Sequence, residues 1–489
     1  MRKVVSIFLV ILFINALASF VQLRITVNAS PNVINVPTDF PAVQMAIDNA
    51  SIGDIIIVNG TYHEDIAINK SLSLFGIDDH SAVIYGHQAR SVVSITANDV
   101  HIENLTIAKI ITGPDDIGIR MTSNNSVVKN NRIININTGL FLYFSSNNLI
   151  AENFLFSEPN DDIGISVYRS SNNVFSGNAV LNNTVGFNLQ LSSINVFSSN
   201  TFVNNFPEIS LALSSNSNVF YHNNFNGTIQ VSNDLYNYWS AGSEGNYWHN
   251  YAGFDSNNDG IGDQPYIVDQ NNQDNFPLMG RFTNYTTIMK NKTYHMTTIS
   301  NSTISGFRFD IGAETGNKIL NFDVFDEGGA VGFCRIMIPT EMMSYPYVVL
   351  VGGEEIIPTL LDTSNETTAF LYFTYSDGSQ TISIISSKTL HLYYELLDKY
   401  STLEASFSNL SALYYQLLSN YSLLLYDYTQ LQNQYSALNA SYQEHLLGYS
   451  RNVENIQNIA YAFAFTTAIF LITTVYLSKP AKSSSRRRN

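Results

Sequence analysis

Two carboxylate pairs, Asp115-Asp116 and Asp161-Asp162, each stand directly before an Ile-Gly-Ile triplet. Two carboxyl groups facing one another are the equipment of glycoside hydrolysis, one protonating the leaving oxygen and the other activating water or attacking the sugar. Asp116 and Asp162 are therefore the candidate catalytic residues; the alternative is that both are solvated turn residues, since no Lys or Arg holds a defined place beside them. A further acidic stretch, Asp255-Ser256-Asn257-Asn258-Asp259-Gly260-Ile261-Gly262-Asp263, spaces oxygen donors in the manner of a calcium loop. Asp255, Asn257, Asp259 and Asp263 would offer side chains, Ile261 its carbonyl and Gly260 the sharp turn, around a structural Ca2+. Tyr266 stands where an EF-hand has its bidentate glutamate, and a plain Asn/Asp/Gly turn is the alternative. Copper would want clustered His, Met or Cys ligands. His63, His80, His87, His101 and His222 are scattered instead, and Cys334 is the single cysteine, which also excludes an intrachain disulfide.

These residues are positioned by a repeat. Ser126 to Asn131, Asn148 to Asn153, Asn173 to Asn178, Asn195 to Asn200 and Asn218 to Asn223 are copies of one another, and Asp99 to Asn104 is an earlier copy. Their final asparagines, Asn104, Asn131, Asn153, Asn178, Asn200 and Asn223, are 27, 22, 25, 22 and 23 residues apart. A second register, Gly118, Gly139, Gly164 and Gly186, runs in step, each glycine followed by a short alternating strand. Such spacing predicts a β-solenoid with one coil per repeat, coils about 4.8 Å apart and asparagine amides bonded from rung to rung. Two rungs then put Asp116 and Asp162 roughly 9 to 10 Å apart, near the upper end of the range of inverting glycosidases. Pro41 to Ala50, with Val43, Ala46 and Ile47 on one face, predicts a helix that covers the first coil.

Phe40 to Ile47, Gly53 to Tyr62 and Asn69 to Gly76, with the later Gly245-Asn246-Tyr247-Trp248 and Gln273 to Met279, resemble NosD-like right-handed β-helix proteins of the kind found on archaeal cell surfaces. The resemblance covers roughly residues 35–280 and implies a pectin-lyase-like solenoid. Its relatives include carbohydrate-binding, carbohydrate-cleaving and metal-delivery members, and it carries over no catalytic residue.

The remaining chain divides by pattern. Residues 1–28 form an expected signal peptide, from the basic Met1 to Lys3, the apolar Val4 to Ala18 and the small residues Ala16-Leu17-Ala18. The solenoid is expected over 29–282 and a small β-sandwich over 283–388, the latter with strands such as Tyr347 to Val351 and Ala369 to Tyr375. From 389 to 455, Tyr393, Tyr400, Phe407 and six further tyrosines to Tyr449 recur every seven residues, with Leu396 to Leu438 three positions after them. Aromatic residues at a and leucine at d predict a coiled-coil stalk roughly 80 Å long that self-associates in parallel, as a dimer or a trimer. The uncharged Ile459 to Leu477, within 456–478, predicts one transmembrane helix, and Lys479, Lys482 and Arg486 to Arg488 a basic cytoplasmic tail over 479–489.

The fold class expected is thus mainly β: a right-handed parallel β-helix, a small β-sandwich, a long coiled-coil helix and one C-terminal transmembrane helix. A formal charge of −16 argues against nucleic acid as a partner. Asn-X-Ser/Thr triplets, at Asn59, Asn69, Asn226, Asn284, Asn365, Asn409 and Asn439 among others, all precede the apolar span and suit an extracellular glycoprotein. The expected role is a membrane-anchored surface protein whose solenoid presents a binding or structural face to polysaccharide or envelope components. A polysaccharide-cleaving enzyme using Asp116 and Asp162, or a NosD-type metal-delivery accessory, is the alternative.

Overall fold

A computed structural model describes residues 30–478 apart from 79, 110–112, 158–161, 233, 326–330 and 377. The expected signal peptide and basic tail, and Asp161, lie outside the described residues. Each solenoid coil gives one short strand to each of three parallel sheets. The first sheet has nine strands, from Val33–Val36 to Val219–Tyr221. The second has nine, from Thr61–His63 to Tyr247–Trp248, and the third has eight, from Ile66–Ile68 to Ile229–Val231. Strands of two to six residues alternate inward and outward, so that about every second residue joins the core.

Because coils stack in register, like sits on like. Ile102, Val128, Ile150, Phe175, Phe197 and Phe220 form one interior row. Its rings lie parallel, with centroids 4.8 and 4.7 Å apart, and the row ends on Trp239 at 4.5 Å. The Phe202–Phe225 stack likewise ends on Trp248. The expected cap is helix α1, Val43–Asn49, which buries Val43, Ala46 and Ile47 on the first coil. Its N-cap, Ala42, has no capping side chain. The Glu64 carboxylate accepts the Val43 and Gln44 N–H bonds instead, at 2.8 and 2.9 Å.

The turn between the first and second sheets holds the expected asparagine row. The Asn153 Oδ1 accepts both the N–H and the Nδ2 of Asn131, at 3.0 and 3.1 Å. The same pair of bonds repeats through Asn178, Asn200, Asn223 and Asn246. The row ends on the Asp274 carboxylate. A parallel row runs through Asn148, Asn173, Asn195, Asn218 and Asn237 to Asn272. Asn104 does not belong to the first row. Asn131 lies over Leu105, whose N–H it accepts, while Asn104 pairs with Asn130 on the outer side of the turn at φ 64°. The 27-residue spacing hid this one-place offset, because burial and not sequence identity sets the row.

The glycine row is steric. A Cβ on Gly139 would fall 2.7 Å from the Gly164 carbonyl oxygen of the next coil.

Beyond the solenoid, two five-stranded antiparallel sheets share one core that includes Met296, Phe322, Cys334, Ile336, Val349 and Ile382. The strands expected at Tyr347–Val351 and Ala369 to Tyr375 are present, with Lys318–Phe325 and Ser379–Ser386 beside them. The module opens on the hairpin Arg281–Met289 and Lys292–Ser300, which the alternating pattern had not separated from its surroundings. Asn224 of the solenoid exchanges two hydrogen bonds with the Phe282 backbone, each of 2.8 Å.

A separate unit is helix α2, Lys388–Leu477, 90 residues without a break. Its stretch Leu392–Leu477 includes a segment long and apolar enough to cross a membrane. Tyr393, Tyr400, Leu403 and the remaining heptad side chains are all exposed along it.

Asn178 accepts two bonds from Asn153 and donates to the Ile150 carbonyl and Asn200 Oδ1. Asn178→Ala should therefore destabilise by roughly 3 kcal/mol or more in urea unfolding. Asn104→Gly, at a positive φ off the buried row, should change stability by less than about 1 kcal/mol.

Candidate functional site

Asp116, Asn137 and Asp162 occupy one row on successive coils, just before the strands of the third sheet. The structure thus sets the two candidate catalytic residues two coils apart, roughly 10 Å. Each is largely buried and already engaged. Lys109 Nζ bonds Asp116 Oδ1 at 2.6 Å, and the Gly113 N–H bonds its other oxygen. The expectation that no cation stands beside the pair is corrected: Lys109, which ends the preceding strand Leu105–Lys109, reaches Asp116, with only 5% of its side chain exposed. Ser157 donates to Asp162, and the Asn137 amide, 3.3 Å from Asp162 Oδ1, fills the coil between the two acids. The Asn137 side chain thus stands on the row between the two carboxylates.

In the Asp255–Asp263 loop the acidic side chains turn onto the loop's own backbone. Asp255 accepts the N–H of Asp259 and of Gly260, Asp259 accepts that of Ile261, and Asp263 accepts that of Ser256. Asn257 donates to Asp259. Burial raises the Asp255 carboxyl above its ordinary value, against its backbone bonds. Among the described residues no three His, Cys, Asp or Glu side chains gather as a group able to hold a metal ion.

A cluster not anticipated from sequence lies on the outer face of the third sheet. Tyr143 and Tyr168 stack at 5.6 Å on adjacent coils, and Phe144 packs edge-on against Tyr143 at 4.7 Å. Phe141 leans on Tyr143. The Arg120 guanidinium lies 5.7 Å from the Tyr143 ring, and that of Arg169 lies 5.2 and 5.5 Å from Phe144 and Tyr168. Phe144 and Arg169 both take left-handed backbone, φ 51° and 49°, which turns their side chains out at the corner after the strand. The signal was present in Thr-Gly-Leu-Phe-Leu-Tyr-Phe, where buried Leu140 and Leu142 alternate with outward Phe141 and Tyr143.

Three further acids are perturbed. Burial pushes Glu208, which continues the glycine row, up to about 8 although the Gly227 and Asn226 N–H groups oppose it. Burial also pushes Asp274 up to about 6, against bonds from Trp248 and Asn246. Burial would raise Glu244 too, but the His222 bond at 2.6 Å and the Arg335 guanidinium at 2.7 Å outweigh it and hold the carboxyl at about 2. Glu244 thereby ties the solenoid to the two-sheet module.

Comparison with known proteins bears on this arrangement. Residues 47–253 match the NosD family model. That family is described as a periplasmic copper-binding protein, and the match covers the solenoid, less than half of the chain. Among solved structures, an alginate lyase from Paenibacillus is 16% identical, covering 44% of this chain and 94% of its own, with a TM-score of 0.33. A pectin methyl esterase of the rice weevil is 12% identical, over 47% and 83%, with a TM-score of 0.30. The catalytic domain of an α-1,3-glucanase bound to nigerose is 19% identical, over 45% of each chain, with a TM-score of 0.33. No curated protein sequence matches this one.

The NosD-like region does not offer copper a fitting donor set among its described residues. His63 stacks on Tyr85, His80 bonds the Asn130 carbonyl, His101 Nε2 lies 3.0 Å from the Glu103 carboxylate, and His222 is held between Glu244 and Phe282. These four imidazoles are engaged apart from one another. The Cys334 thiol is fully buried in the two-sheet core, and burial drives its ionisation far above the ordinary thiol range.

Glu208 fixes a pH dependence. Its folded carboxyl binds a proton more tightly than the unfolded one, so its contribution is complete below about 4.5 and is lost as pH rises toward about 8. Asp274 acts in the same direction but only up to about 6. Chemical unfolding between pH 6.5 and 8.5 should show falling stability in the parent and a flatter profile in Glu208→Gln.

Proposed function

We propose that the protein is an extracytoplasmic binding protein, anchored by the apolar end of α2, whose solenoid binds polysaccharide on the outer face of its third sheet. The observation that carries this reading is the Arg120, Phe141, Tyr143, Phe144, Tyr168, Arg169 cluster. The exposed Phe144 ring and the outward edges of the stacked Tyr143 and Tyr168 offer apolar surface to the C–H faces of sugar rings, and the guanidinium forks offer donors to hydroxyls or carboxylates. A ligand lying along the coils meets aromatic rings on two neighbouring coils, about 4.8 Å apart, with Arg120 on the coil before them. The basic residues expected after the span support an outside position for everything before it.

Retention of the protein on immobilised neutral and acidic polysaccharides tests the proposal. The parent should be retained, and Tyr168→Ala and Arg169→Ala should each weaken binding roughly tenfold. Unchanged retention in both variants would move the binding surface elsewhere. Shortened polysaccharide, abolished by Asp162→Asn, would instead establish the cleaving enzyme. The engaged state of Asp116 and Asp162 argues for intact chains.

Self-association belongs to the same proposal. The Tyr and Leu rows of α2 leave an apolar stripe seven heptads long exposed on a single helix, and copies sharing one membrane lie parallel. The detergent-solubilised protein should sediment as an oligomer. Leu417→Asp, which puts a charge into the seam, should shift it to the monomer.

A further inference from the structure

The leucine row of α2 changes character at its last step. Leu396, Leu403, Leu410, Leu417, Leu424, Leu431 and Leu438 are followed seven residues later by His445, which is exposed on the helix. The tyrosine row continues past it through Tyr442 and Tyr449. His445 therefore holds a d position inside the seam. The occupant of that seam is a second copy of the same helix, which rests on the self-association proposed above. Charge placement is compatible with it. Lys399, which bonds Glu395 of its own helix at 2.9 Å, is at a g position, and Glu404 is at the e position five residues on. That is the spacing at which g of one helix meets e of a parallel, in-register neighbour. Elsewhere e and g carry leucine, small or amide residues, such as Leu418, Leu425, Gln432 and Ser441, with Asp427 opposite an uncharged Gln432. No like-charged pair opposes the parallel register.

In that register each d layer is made of the same residue from every copy. We propose that the His445 imidazoles meet in one layer and bind a divalent transition-metal ion. Imidazole nitrogen suits Zn2+, Cu2+ and Ni2+, and two or three such donors with water complete a site. Uncharged residues surround the layer. Tyr442 and Tyr449 flank it at a, Leu446 at e, and Ser441 and Gly448 at g, while Glu444, at c, points away from the seam. A leucine would pack better at 445, so the histidine gives up packing for donor nitrogens.

The full chain in non-ionic detergent, with zinc chloride as the probe, provides the test. Sedimentation without metal comes first. An oligomer is expected, and a monomer would overturn the self-association on which the site rests. Zinc binding is then compared with His445→Leu, which completes the leucine row, and with His445→Asn, which keeps a polar layer. The parent should bind one more Zn2+ per assembly than either variant. Its helix melting temperature should rise by roughly 5 °C with zinc. Both variants should remain oligomeric and show no rise. Equal zinc uptake and equal shifts in parent and His445→Leu, with the oligomer intact, would overturn the metal site alone.

Discussion

Every feature of the solenoid depends on coils being stacked in register through backbone hydrogen bonds. A residue is surrounded by its own equivalents above and below, so whatever is buried at one rung must be satisfied by the next. Buried asparagine amides meet that demand by bonding one another, and phenyl rings by stacking. The constraint is most severe at the ends, where no next rung exists. At one end α1 covers the first coil, its own N–H groups held by Glu64. At the other, Asp274 and Asn272 close the two asparagine rows while also accepting the indole N–H groups of Trp248 and Trp239. The raised carboxyl of Asp274 is the cost of burying an acid where the row must stop.

The same register leaves the outer faces free. Outward residues make no contribution to the core, so their chemistry answers to something other than folding. On the third sheet that chemistry is aromatic and cationic over neighbouring coils, and at its corner Phe144, Arg169, Leu191 and Leu213 all adopt positive φ. Bulky side chains in left-handed backbone cost of order 1 to 3 kcal/mol each where glycine would cost little. A row that keeps them exposes Phe144 and Leu213 to solvent, which fits a surface selected for contact. The carboxylates that first suggested chemistry behave differently: Lys109, Ser157 and Asn137 bind them into the stack.

Rows were legible in the sequence wherever one residue type repeats for a physical reason: asparagine in the turn, glycine where a carbonyl crowds the backbone, tyrosine and leucine at heptad spacing. The cap Val43–Asn49 was legible from its apolar face. Asn104 misled because its copy ends in asparagine one place short of the buried row, and only the partner of Leu105 reveals the offset. Lys109 was hidden because its contact with Asp116 joins residues seven apart, a spacing that no strand period singles out. The aromatic cluster was hidden because Phe141, Tyr143 and Tyr168 stand among equally apolar inward neighbours, and telling the two faces apart needs the strand parity that register supplies. Glu208 was invisible for the opposite reason: it breaks the glycine row.

We propose that the solenoid binds its ligand on the outer face of the third sheet and not in its carboxylate row. A crystal structure of the protein with a bound oligosaccharide tests this most directly. Sugar rings are expected over Tyr143, Phe144 and Tyr168 with Arg120 or Arg169 donating to the ligand, and Asp116 and Asp162 still engaged with Lys109 and Asn137. A glycosidic oxygen found between Asp116 and Asp162, with those partners displaced, would contradict it.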